Sequence, residues 1–378
     1  MSGKVAITAF NMITAFGHGV DISWQSLLDN HTAIGAPKRI SKARFEVAPV
    51  AESQLIDQRS ADTSVWQLCR MLLDDPSLNN LPPGTELFLS TTVGEIELLE
   101  RAVDSKSDAS SSCLSNLCLK VEALLGLPQG HGTVVSAACA SGSSAIALAA
   151  QRIRLGLAKS ALIVACDGVS EFVLAGFNSL MALDKQGARP FDRSRQGLSL
   201  GDGAAFMVLM GSDYAQENNI PILAEVAGWG MSDDANHITG PSRDGSGLAS
   251  AIKVALETSG VSAKDISFIS AHGTGTLYND AMEMQSFKKI FQEPVALYGI
   301  KGAIGHTLGA AGLIEVGIAV HALRESLIPP TVGLSEPDPE AFGWVSSQSR
   351  GVVGEYALCV NAGFGGVNAA VCLKKSIK

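Results

Sequence analysis

Runs of small and β-branched apolar residues recur along the chain, too uniformly apolar to be half-solvated strands. Ten stand out: residues 5–10, 86–91, 133–138, 161–165 and 204–210, then 222–227, 266–270, 295–298, 356–360 and 369–373. Strands buried on both faces read this way, because neither face meets water. Between them the spacing turns helical, most clearly over residues 143–157 and 308–323. Strands and helices alternating along one chain predict α/β layers. A polar stretch at residues 212–221 follows the fifth run and divides the chain into halves with similar element counts, 1–214 and 215–378. The Ser- and Asp-rich residues 105–112 are expected to form an exposed loop.

Composition narrows the classes. With 46% hydrophobic and 17% charged residues over 378 positions, the chain can bury a large core and lacks the signature of disorder. Its net charge of −9 comes without a basic patch, which speaks against a nucleic-acid footprint. Seven irregularly spaced cysteines do not make a disulfide framework, and most lie in apolar stretches as buried thiols. Cys113 and Cys118 resemble half of a zinc site, but no second pair matches them, so no metal is expected. Residues 1–17 lack the basic start and apolar run of a signal peptide, and no stretch approaches the roughly 20 apolar residues of a membrane span. A cytoplasmic location is the expectation.

Four segments carry the chemistry. VVSAACASGSS (134–144) runs from a strand into a helix, with Cys139 at the junction. The unpaired N–H groups and dipole of a helix N-terminus favour thiolate over thiol, although a buried structural cysteine fits the local sequence as well. ISAHGTGTLYNDAME (269–283) places His272 at a strand end, with Thr274 and Thr276 alternating with glycine. Those threonines either line a groove or bond their own backbone. YGIKGAIGHTLGAAGLIE (298–315) carries Lys301, His306 and Glu315, and its GAAG allows a close helix contact. Lys301 near a histidine can hold the imidazole neutral or orient a carboxylate. CVNAGFGGVNA (359–369) looks like a phosphate-cradling loop, but a strand rather than a helix follows its glycines, so a loop presenting Phe364 fits better.

The four segments, in this order, resemble the elongating β-ketoacyl-acyl-carrier-protein synthases of the thiolase superfamily. The likeness also takes in GHGVDISWQSLL (17–28), RPFDRSRQGLSLGDGAA (189–205) and SDDANHITGP (232–241), and so nearly the whole chain. It implies an α/β fold of five αβαβα layers from two similar halves. It implies that Cys139 accepts the acyl group and that His272 and His306 stabilise the enolate left when a malonyl thioester loses carbon dioxide. Lys301 and Glu315 would support them. Thr274 and Thr276 would bind phosphopantetheine, and the backbone N–H groups of Cys139 and Phe364 would form the oxyanion hole. No resident cofactor is implied, since phosphopantetheine arrives on a separate acyl carrier protein; the chain has no DSL serine motif of its own. A homodimer is the expected assembly, with a heterodimer beside a chain-length-factor-like subunit as the alternative.

Three departures from the family stand out. Ala362 replaces a common phenylalanine, residues 91–139 form a shortened segment, and Thr63 stands where an arginine often docks the carrier protein. Arg189, Arg193 and Arg195 remain as candidate carrier contacts. A non-catalytic chain-length factor would have replaced Cys139. A thiolase or an initiating synthase would not suit HGTGT or the spacing from Lys301 to His306. A scaffold without chemistry would not keep all three catalytic residues. Fatty-acid synthesis and a specialised polyene or polyketide-like route both remain open.

Overall fold

The computed structural model describes residues 3–40 and 48–376; Met1 and Ser2, part of the segment read above for a leader, lie outside them. The first half holds strands β1 (Val5–Thr14), β2 (Gly17–His18), β3 (Glu86–Ser90), β4 (Thr133–Val135), β5 (Ser160–Asp167) and β6 (Gly203–Gly211). Its helices are α1 (Val20–Leu28), α2 (Ser64–Leu73), α3 (Ile96–Ser105), α4 (Leu114–Leu125), α5 (Ser141–Arg154) and α6 (Glu171–Ser179). Helix α7 (Ser212–Glu217) links the halves. The second half holds β7 (Ala224–Asp233), β8 (Ile266–Ser270), β9 (Leu297–Tyr298), β10 (Leu327–Ile328), β11 (Arg350–Gly351), β12 (Tyr356–Ala362) and β13 (Val367–Lys375). Its helices are α8 (Ser246–Ser259), α9 (Leu277–Ile290), the single turn α10 (Lys301–Ile304) and α11 (Ala311–Glu325).

All ten expected strands are present, β8 with the expected bounds and the others with shifted ends. β7 runs on to Asp233, because its inner residues pair with β13 along their whole length. β4 stops at Val135 rather than continuing to 138, because the chain turns sharply at Ala138, whose φ is 47°. The second long helix begins at Ala311, after a 3₁₀ turn at Leu308–Ala310. Residues 105–112 are mostly exposed, as expected of a loop.

The main sheet has the order β4-β3-β5-β6-β1-β7-β13-β12-β8-β9, with β2 paired to β1. This order reads the same from both ends. β3 lies parallel to β4 and β5, as β8 lies parallel to β9 and β12. The next strands inward, β6 and β13, are antiparallel to both of their neighbours. The antiparallel contact of β1 with β7 joins the two halves.

Side-chain alternation then builds the layers. Within β5, Ile163 and Ala165 face a cluster with α5 and α11, while Leu162 and Val164 face α2 and α4. In the second half, Phe268 and Val371 join the same α5/α11 cluster, while Ile269 and Cys372 face α8 and α9. The result is five layers: α2/α4, sheet, α5/α11, sheet, α8/α9. Every residue of β5 is buried, which explains its continuous apolar run.

The two central helices cross with their backbones in close contact at two glycines. A Cβ on Gly142 of α5 would stand 2.6 Å from the backbone N of Leu313, and one on Gly312 would stand 2.6 Å from that of Ser143. This crossing brings the N-terminal ends of α5 and α11 together, and the site residues cluster there. Gly312→Ala should force the helices apart and destabilise the protein by about 1–3 kcal/mol, the usual range for overpacking. A lowered urea midpoint would register it; an unchanged midpoint would mean that the helices separate without cost.

Candidate active site

Cys139 lies between β4 and α5, in a turn held in an uncommon conformation. A non-glycine residue at φ 47°, as at Ala138, costs roughly 1–2 kcal/mol. Ser141 stabilises it from both sides, accepting from the Ala137 N–H at 2.8 Å and donating to the Ala138 carbonyl at 2.5 Å. Gly363 packs on the other side: a Cβ there would stand 3.1 Å from both the Cys139 backbone N and the Ala137 carbonyl oxygen. The backbone N–H of Phe364 points at the Cys139 sulfur, and the Phe364 ring stacks on Phe177 of α6 at 5.5 Å.

His272 follows β8, and its loop is clamped from α9. Glu283 accepts the His272 and Gly273 N–H groups at 2.8 and 2.7 Å. Asp280 accepts those of Thr274 and Gly275, each at 3.1 Å, and that of Phe191 at 2.7 Å. Two carboxylates three positions apart on one helix face thus take four consecutive backbone donors. The Thr274 hydroxyl accepts from the Thr276 N–H and the Thr276 hydroxyl from the Asn279 N–H, each at 3.3 Å, so the two readings of these threonines both hold: they line the cavity and they bond their own turn.

Behind His272 lies a buried polar network. Lys301 donates to a Glu315 oxygen and to the His272 carbonyl, and lies 3.2 Å from the His272 Nδ1. Asn361 donates through Nδ2 to the other Glu315 oxygen at 2.6 Å and lies 3.2 Å from the same Nδ1. An ammonium has only donors, and the Asn361 orientation is fixed by the carboxylate, so the His272 Nδ1 must accept. Its proton therefore sits on Nε2. His306 has the same tautomer for a different reason: its Nδ1 accepts from the Leu308 N–H at 3.1 Å. Leu308 pays for that contact with a φ of 53°. The His306 Nε2 is buried and has no partner among the described residues. The two rings meet edge-on with centroids 5.2 Å apart.

Burial sets the protonation states. It holds both imidazoles well below the ordinary histidine range, helped by the Lys301 charge on each and by His306 on His272. Burial also raises the Glu315 carboxyl, opposed by Lys301 beside it, and donors on both oxygens favour the carboxylate. For Cys139 burial acts against the expectation from the helix N-terminus. The thiol is pushed up to about 12, with Lys301 pulling it down and Asp167 adding to the rise.

Cys139, His272, His306, Thr274, Thr276 and Phe364 line one cavity of about 870 Å³; Lys301 and Glu315 stand behind it. Ala362 also lines the cavity, where a larger side chain would take up space. Asn361, Asp280 and Glu283 were not singled out in the sequence, although all three lie inside the quoted motifs. Phe177 carried no sequence signal. One expectation about carrier contacts fails. Arg195 is buried and paired with Asp338 at 2.6 Å and Asp280 at 3.7 Å. Thr63 is buried as the N-cap of α2, accepting from the Trp66 N–H at 3.1 Å and donating to Glu95 at 2.7 Å. Arg193 is exposed but engages Glu336, and Arg189 pairs with Asp184 at 3.2 Å. No helix among the described residues is long and apolar enough to cross a membrane.

Comparison with known proteins places this geometry. The β-ketoacyl synthase N-terminal domain family matches residues 102–215, and the C-terminal domain family matches residues 223–335. A 3-oxoacyl-[acyl-carrier-protein] synthase 2 from Synechocystis sp. is 30% identical, covering 98% of this chain and 98% of the relative. The chain belongs to the β-ketoacyl synthase family. The ketoacyl synthase alpha subunit of the tetracenomycin polyketide synthase from Streptomyces glaucescens is 31% identical over 98% of this chain and 97% of that one. Among solved structures, the ishigamide ketosynthase/chain length factor aligns with a TM-score of 0.89 at 28% identity, covering 99% of each chain. A β-ketoacyl synthase from Burkholderia phymatum aligns at 0.88 and 26%, covering 99% of this chain and all of that one. The five layers are thus the thiolase-like fold of the ketosynthases, and the protein is a condensing acyltransferase.

With a thiol near 12, the thiolate fraction of Cys139 grows about tenfold per unit between roughly pH 7 and 9. Iodoacetamide labelling of Cys139 should rise in step, and Lys301→Met should slow it by removing the nearest cation. Labelling independent of pH would mean that the thiolate is already formed at neutrality.

Proposed function

We propose that the protein is a 3-oxoacyl-acyl-carrier-protein synthase acting through Cys139, His272 and His306. In the first step the Cys139 sulfur attacks an acyl thioester on a carrier protein. The new C–S bond replaces the carrier's, and the thiol proton leaves with the carrier thiol. The backbone N–H groups of Cys139 and Phe364 receive the transient oxyanion. In the second step malonyl carrier protein loses carbon dioxide. The electron pair of the broken C–C bond becomes an enolate whose oxygen accepts from the Nε2–H of both histidines. The carbanion then attacks the acyl-Cys139 carbonyl, and the cysteine leaves as thiolate.

The observation that carries this reading is that both Nδ1 atoms accept. Two neutral imidazoles are thereby left as donors in the cavity that holds the thiol. Thr274 and Thr276 on the cavity wall would receive the phosphopantetheine arm, and the carrier would supply that group, with no resident cofactor. The working assembly on this reading is a homodimer, with the halves divided at 214/215 within α7. A second reading, as the catalytic subunit beside a chain-length-factor-like partner, draws on the likeness to the tetracenomycin and ishigamide proteins. Ala362 and the shortened segment 91–139 favour a specialised acyl chain as readily as an ordinary fatty acid.

Intact mass spectrometry after incubation with a panel of acyl-carrier-protein thioesters should show one acyl adduct, absent in Cys139→Ala. No adduct with any chain, in the presence of the correct carrier, would defeat the proposal. His272→Ala and His306→Ala should each retain the adduct but lose malonyl decarboxylation by about 100-fold or more, as expected for one oxyanion donor. Because both histidine pKa values are depressed, the neutral donors persist as pH falls through 6.5, and decarboxylation by the wild type should hold to about pH 6. A loss centred near 6.5 would mean ordinary, solvent-exposed imidazoles.

A further inference from the structure

Asn361 occupies a position that the repeated topology makes informative. In the first half Ser90 of β3 pairs with Ala165, and two residues on stands Asp167. In the second half Ser270 of β8 pairs with Cys359, and two residues on stands Asn361. The two side chains are therefore topological equivalents. Asp167 accepts from the Gly309 N–H at 2.8 Å, just before α11, and from the Thr91 hydroxyl at 2.7 Å. Asn361 accepts from the Ser143 hydroxyl in the first turn of α5, the helix that follows Cys139. Each thus ties its own strand to the central helix of the opposite half.

Asn361 differs in what its other atom does. A carboxylate has no donor, whereas the amide presents Nδ2–H to Glu315 at 2.6 Å and to the His272 Nδ1 at 3.2 Å. It is buried, and a Cβ on Gly312 would stand 2.9 Å from its oxygen, so it has little room to turn.

We propose that Asn361 is a positioning residue for the condensation, fixing His272 in the tautomer that carries its proton on Nε2 and holding that imidazole neutral. This inference rests on the reading of His272 as an enolate-stabilising donor. Lys301 also approaches Nδ1, but it is shared with the Glu315 carboxylate and the His272 carbonyl. The other ionisable groups around the imidazole are His306 at the cavity side, Glu283 on its backbone N–H, and Cys139 across the cavity. None of these donates to Nδ1. Loss of the Asn361 donor destabilises the accepting, neutral form of the ring, so protonation occurs at higher pH. The acyl transfer to Cys139 does not use the His272 proton and is spared.

The test separates the two half-reactions in full-length wild type, Asn361→Leu and Asn361→Asp. Acylation is followed by intact mass, and decarboxylation by carbon dioxide release from malonyl carrier protein between about pH 5.5 and 8.5. Both variants should acylate within about threefold of wild type. Both should lose decarboxylation by about tenfold at neutral pH, with the acid limb moved up by about one unit, which is tenfold in the protonation equilibrium. Folded variants that lose both half-reactions equally, or neither, with an unmoved pH profile, would overturn the proposal and leave Asn361 a packing residue. Nitrogen NMR of ¹⁵N-histidine-labelled wild type, assigned with His272→Asn, tests the tautomer on which the proposal depends even if neither variant folds. A His272 protonated on Nδ1 rules out the assignment, and one protonated on Nε2 supports it. A wild type that never forms acyl-Cys139 would instead defeat the proposed function.

Discussion

The buried ion pair of Lys301 with Glu315 is the constraint on which the site depends. Moving two charges out of water costs several kcal/mol each, and their attraction offsets this only when every remaining donor and acceptor is used. Here every one is. The ammonium contacts Glu315, the His272 carbonyl and the His272 Nδ1, while the second carboxylate oxygen takes Asn361. Removing either partner would strand a buried charge, at about 3–5 kcal/mol. The pair therefore cannot move without His272 and Asn361, and it fixes the orientation of the ring that it supports.

The repeated topology explains why these residues meet at all. β4 and β9 are equivalent edge strands, and each leads through a short segment into a central helix. Cys139 lies in one of these segments and His306 in the other, so the crossing of α5 with α11 brings a thiol from one half beside an imidazole from the other. The bare glycines at that crossing set how close the two come. The halves have diverged at the equivalent strand ends. Asp167 serves as an acceptor for backbone and hydroxyl groups, whereas Asn361 adds a donor aimed into the site.

Much of this was legible from residue pattern. Buried strands are written in runs of apolar residues, and the ten were found because most of their residues are buried, as every residue of β5 is. Their ends were less legible. Whether β4 stops at Val135 depends on the strained Ala138, which is held by Ser141 and Gly363 from outside the strand. Cys139, His272 and His306 stood out as a set, because one cysteine and two histidines, each in a turn rich in small residues, point to acyl chemistry more strongly together than any one does alone. Asn361, Asp280 and Glu283 did not, since polar residues at the rim of a motif look like ordinary turn or helix surface. Their roles come from partners far away in sequence, as when Asn361 meets His272 and Ser143. The reading of Arg195 as a surface cation failed for the same reason: its partners Asp280 and Asp338 are distant in the chain and bury it.

Burial acts on the three central groups with opposite signs. It penalises whichever form is charged, so it raises the Cys139 thiol and lowers both imidazoles. A sequence argument from the helix N-terminus alone predicts a thiolate and neglects this opposing effect. The resting site consequently holds a neutral thiol and two neutral rings beside one compensated ion pair. Negative charge that develops there meets N–H groups already oriented by the fold, in a cavity wall where the dipoles need not reorganise. Such groups are worth more in a low-dielectric site than in water. A thiolate–imidazolium pair would already have spent that interaction in the ground state, whereas the neutral arrangement keeps it for the transition states of both steps.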